Sequence, residues 1–61
     1  MATYLVEIIQ NYKENPIYYA EINCTNYTEV EEYARELMQK VPEENVKGSN
    51  PYSPKITLIK E

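Results

Sequence analysis

Three observations predict an α+β fold for this chain, a three-stranded antiparallel sheet with one helix on one face. Three stretches rich in β-branched and apolar residues are separated by turn signals. Between the second and third lies a stretch whose apolar residues recur with the period of a helix. The order is therefore strand, strand, helix, strand, and 61 residues make a single domain, 1–61.

Thr3–Gln10 (TYLVEIIQ) opens the chain as a strand. Residues 11–16 (NYKENP) form a polar connection ending in Asn-Pro, a turn signal. Ile17–Cys24 (IYYAEINC) is the second strand, and the pair makes a hairpin. The helix follows. Thr28 with Glu31 fits a capping box, and Asn26 with Glu29 fits nearly as well. Val30, Tyr33, Ala34, Leu37, Met38 and Val41 recur at i, i+3, i+4, i+7, i+8 and i+11, one apolar face, and Pro42 ends it. Residues 42–54 form a long connection with three prolines and the single glycine, Gly48. Lys55–Lys60 (KITLIK) is a short third strand.

The helix returns the chain, so the third strand runs antiparallel to the first. The first strand is the most apolar and belongs in the middle, which gives the order 2-1-3. The crossover rule puts the helix on one face and leaves the other without a covering layer. Glu7 and Glu21 should face water. Alternation then turns Tyr4, Val6, Ile8, Ala20, Ile22, Cys24, Ile56 and Leu58 toward the helix. Leu5, Ile9, Ile17, Tyr19 and Ile59 are left on the open face, a candidate surface for self-association or for a partner. A homodimer through these residues would add buried area to a small core. The competing expectation is that the long connection folds over them.

Charge is concentrated in one segment. Residues 29–44 hold six glutamates against Arg35 and Lys40, or −4, which equals the net charge of the whole chain. Glu29, Glu32 and Glu36 stand at i, i+3 and i+7, a ridge beside the apolar stripe, and Glu43 and Glu44 extend it. A row of carboxylates on a rigid helix can stand in for phosphates toward a basic groove. Ordinary helix chemistry explains part of the pattern. Early glutamates suit the helix dipole, and Glu31–Arg35 and Glu36–Lys40 have the spacing of i, i+4 pairs. It does not explain Glu43 and Glu44 beyond the expected helix end.

Other classes fit poorly. With no His the commonest general base and metal ligand is missing, and no cofactor or metal is expected. Cys24, the only cysteine, ends a strand on the expected core face and excludes a disulfide framework. A pI near 4.7 with scattered basic residues opposes nucleic-acid binding. No apolar run approaches a membrane span and no signal peptide is apparent, so a cytoplasmic, non-enzymatic binding protein is expected. Seven tyrosines with no Phe or Trp suit a thin core whose hydroxyls reach water, and they suit interfaces equally. Pro51–Pro54 has PxxP spacing, but without flanking basic residues it reads as a lead-in to the third strand.

The run Pro16–Glu21 (PIYYAE), then Thr28–Met38 (TEVEEYARELM), then Val41-Pro42 resembles the equivalent stretch of the small RNA polymerase inhibitors of podoviruses, over about half the chain. The polymerase-contacting basic residues of that family have no counterpart here. In size, acidity and its Glu-rich helix the chain is also similar to the inhibitors of the nucleoid protein HU made by large Bacillus phages, which mimic DNA. The resemblance implies a small phage host-takeover inhibitor acting in the bacterial cytoplasm on a basic DNA-binding protein. An inhibitor of RNA polymerase or of a CRISPR nuclease is the alternative. A small structural or assembly protein using its open sheet face is a third class.

Overall fold

The structure is a computed structural model and describes residues 1–11 and 15–61. Part of the polar connection expected at 11–16, residues 12–14, lies outside the described residues. Strands β1 (Ala2–Ile9), β2 (Tyr18–Cys24) and β3 (Ser53–Lys60) form one antiparallel sheet in the order β2-β1-β3. Helix α1 (Tyr27–Gln39) and a short 3-10 helix, Glu43–Asn45, stand between β2 and β3. The expected α+β architecture and strand order are those observed.

The central strand earns its place by composition. Val6 and Ile8 are fully buried, and they meet Cys24 of β2 and Val30, Ala34 and Leu37 of α1 in one cluster. Tyr4, Tyr18, Tyr33, Tyr52 and Ile56 pack around that cluster half-buried. Ring bodies thus enlarge a thin core while the phenol tips stay near water. Among the described residues no buried side-chain nitrogen or oxygen lacks a hydrogen-bond partner.

The N-terminus of α1 is set by Asn26. Its Oδ1 accepts from the Glu29 N–H at 3.0 Å, and its Nδ2 donates to Glu29 Oε1 at 3.4 Å. Of the two spacings that fit a capping box, the earlier one is used. Starting there brings Tyr27 edge-on to Tyr4, with ring centroids 6.0 Å apart at 72°. The helix stops at Gln39, and the Lys40 N–H donates back to the Leu37 carbonyl. Val41 still packs on the core beyond it.

The long connection packs Tyr52 against the core cluster and is tied to the end of β1. Gln10, just past β1, holds it with both ends of its amide. Nε2 donates to the carbonyls of Lys47 and Asn50, each at 2.8 Å, and Oε1 accepts from the Lys47 N–H at 2.7 Å. Asn45 Nδ2 donates to the Ile17 carbonyl at 2.6 Å. Gly48 takes φ +63, the left-handed conformation that glycine adopts without a side-chain clash.

Two expectations are corrected, for Ile17 and for the start of β3, and two, for Leu58 and Glu7, hold in part. Ile17 packs against the core cluster instead of the open face. It lies in the bend before β2, where alternation does not govern its direction. Leu58 pairs with Tyr4 and so lies on the helix side as expected, but on β3, an edge strand, it is 47% exposed. β3 begins at Ser53 and includes Pro54, which an edge strand tolerates because one side of its ladder is unpaired. Glu7, expected in water, is half-buried. The ladder also pairs Thr3 with Lys60 and Tyr4 with Leu58, which leaves Ile59 as an extra residue without a β1 partner.

Candidate acidic interface and the open sheet face

The five glutamates of the expected ridge are all exposed. Glu29, Glu32 and Glu36 project from α1, whose opposite face buries Val30, Ala34 and Leu37. At 1.5 Å per residue the three span about 10 Å of helix axis. Their backbone is fixed twice, by the Asn26 cap and by the buried stripe.

The five do not have equal standing. Glu29 is engaged by Asn26 and so has a structural task. Glu43 and Glu44 open the 3-10 helix, whose first-turn N–H groups favour negative charge. That removes the anomaly of two glutamates beyond a helix end, because they begin a second one. Glu32 and Glu36 carry neither task, so they are the residues that most directly report on an interface.

The other surface is the open sheet face. The Thr3 hydroxyl donates to Asn23 Oδ1 across the β1–β2 ladder. Next along, Leu5 stands opposite Glu21 and Glu7 opposite Tyr19, and on the β3 side Thr57 and Lys55 face the same two β1 residues. Of the expected patch, Tyr19 (67%) and Ile59 (49%) are exposed and Leu5 and Ile9 are half-buried. An open hollow of about 470 Å³ is lined by Leu5, Glu7, Asn15, Pro16, Tyr19 and Glu21. Sequence reasoning placed Leu5 and Tyr19 here but treated Glu7 and Glu21 only as markers of the wet side. The register pairing Glu7 with Tyr19 was the signal that could have joined them.

Cys24 is buried at 4% exposure, on the core face as expected. Among the described residues no group of three or more His, Cys, Asp or Glu is gathered to hold a metal ion. No helix among them is long and apolar enough to cross a membrane. No protein-family model matches the chain, and no curated protein or solved structure matches it significantly.

Proposed function

We propose that this chain is a non-enzymatic inhibitor of the phage host-takeover type. It presents an acidic, DNA-mimicking surface to a basic DNA-binding protein in the host bacterial cytoplasm. The observation that carries the reading is the placement of exposed Glu32 and Glu36 on a capped, core-anchored helix, within a segment that bears the whole net charge of −4. Fixed carboxylates need little reorganisation to meet a basic groove, and their summed field speeds encounter. Glu29, Glu43 and Glu44 add to that field.

The test is displacement. A basic nucleoid protein of the HU type is bound to a fluorescent DNA duplex and titrated with this chain at low and high salt. Release of the duplex in proportion to the protein added, weakening as salt rises, supports the reading. Undisturbed DNA at low salt refutes it for that partner, and the same titration on host RNA polymerase or a CRISPR nuclease then tests the alternative targets. A second class, a small assembly protein acting through the sheet, is favoured by one observation, the exposure of Tyr19 and Ile59.

A further inference from the structure

We propose that two copies of this chain pair through their open sheet faces. The pair is a two-fold dimer in which β2 of each copy lies over β3 of the other. The surface is on the sheet layer, separate from the acidic ridge of α1, and does not rest on the function proposed above.

The register lays the face out in rows that run from β2 through β1 to β3. One row is Tyr19, Glu7 and Lys55, the next Glu21, Leu5 and Thr57, and the next Asn23, Thr3 and Lys60. All four charged residues of the three strands lie on this face, Glu7 and Glu21 against Lys55 and Lys60, and they cancel. The net charge of −4 stays on residues 29–44, in α1 and the segment after it. Two copies can therefore bring these faces together with no excess of like charge between them.

The charges are also segregated, and that selects the geometry. Glu21 stands on the β2 edge and both lysines on the β3 edge, with Glu7 between the edges and opposite Lys55. A two-fold axis parallel to the strands lays each β2 over the other copy's β3 and keeps row over row. Glu21 then stands over Thr57 of the other copy, flanked by that copy's Lys55 and Lys60. Tyr19, at 67% exposure, stands over the other copy's Lys55, where its ring can take a cation–π contact. Leu5 meets Leu5 on the axis, and each Glu7 remains paired in register with its own Lys55. The alternative two-fold, with its axis across the strands, sets β2 on β2 and β3 on β3, acid on acid and lysine on lysine.

Shape agrees with charge. The open hollow of about 470 Å³ lies on the β2 side of the face, between Leu5, Pro16, Tyr19 and Glu21. The same operation brings the exposed Lys55 and Thr57 of the other copy's β3 above it. A lysine stem can lie against Leu5 and Pro16 there while its head stays near Glu21. Seven residues by three strands make a face of about 23 by 14 Å. That is the size of a weak, reversible interface. Dimerisation buries the sheets and leaves both α1 ridges outward.

The experiment is sedimentation equilibrium and NMR of the isotopically labelled chain over a concentration series reaching millimolar. The mass should climb from 7.2 kDa toward twice that value. The amides of Leu5, Tyr19 and Thr57 should shift with concentration, and those of α1 should not. Glu21→Lys alone, and Lys55→Gln with Lys60→Glu alone, should each weaken self-association about tenfold, because each sets like charges over one another twice. Mixing the two variants should restore pairing, since both contacts then join opposite charges, a rescue that neither misfolding nor a structural role can give. Glu32→Gln with Glu36→Gln should leave the dimer unchanged. The proposal is overturned if the mass stays at one chain through the series, or if the shifts fall on α1. It is equally overturned if the mixture associates no better than either variant alone.

Discussion

Reversing two charges on α1 separates a shaped interface from bulk acidity. Glu32→Lys with Glu36→Lys adds four positive units to a chain of net charge −4 and brings it to zero. Glu31→Lys with Glu61→Lys reaches the same zero at exposed positions off the ridge. Both variants should fold, since Lys and Glu have similar helix propensity and none of the four sites is buried. Each ridge carboxylate meeting a cation at about 4 Å gains about 1 kcal/mol in water. Reversal turns that gain into an equal repulsion, so two reversals amount to about 4 kcal/mol before screening. With a Debye length of about 10 Å at 0.1 M salt, roughly two thirds survives at 4 Å, or about 3 kcal/mol and about a hundredfold in affinity. At 1 M salt, where the length is about 3 Å, about a quarter survives and the loss falls to roughly fivefold. The assay is titration of the HU-type protein by fluorescence anisotropy at both salts, with stopped-flow to show that association slows. Equal losses for the two variants would reduce the effect to net charge. A loss independent of salt would remove the electrostatic argument altogether.

Three further outcomes follow from the fold. Gln10→Ala removes three hydrogen bonds from the connection before β3 and should destabilise the chain by about 1–3 kcal/mol in urea melts. Amide exchange at Lys47 should rise at the same time, and unchanged protection there would mean that something else holds the connection. Asn26→Ala deletes the cap of α1 and should cost about 1 kcal/mol, with the Thr28 box unable to replace it because it would shorten the helix. Cys24→Ser puts a hydroxyl in the core at a 4% exposed position, a loss on the order of 1–3 kcal/mol, with partner binding intact. Unchanged stability with lost binding would make Cys24 a functional group.

The layered fold was legible because its signals are long. Val30, Ala34 and Leu37 repeat over several turns, and the face holding Val6 and Ile8 can meet them only if the first strand is central. Where the signal is one residue deep, sequence reasoning failed. Ile17 carries the right residue type for a strand, but the bend at its position breaks the two-residue alternation and turns it inward. The 3-10 helix at Glu43–Asn45 has three residues and hence no period to detect. Asn26 and Thr28 satisfied the same capping rule, and the choice fell to a tertiary contact, Tyr27 on Tyr4, that no local pattern contains. The acidic ridge was legible as spacing. Its gradation was not, because the roles of Glu29, Glu43 and Glu44 depend on where the two helices begin.

A single layer contact explains why so small a chain can keep two chemically distinct surfaces. Only one side of the sheet and one side of α1 are needed for the core, and Val6, Ile8, Cys24, Val30, Ala34 and Leu37 supply it. The outer side of α1 and the open side of the sheet therefore contribute little to stability, and their residues are free to be set by binding. That freedom has a boundary. Glu29 holds the Asn26 cap, Glu7 is half-buried across from Lys55, and Leu5 and Ile9 are half-buried beneath the face they expose. Substitutions at these four should change stability and binding together. Substitutions at Glu32, Glu36, Tyr19 and Glu21 touch no buried neighbour of that kind, so they should change binding alone. Thermal melts run beside the binding measurements for both groups would expose any residue that crosses this division, and a drop in stability at Glu32 or Glu36 would show that the ridge belongs to the fold.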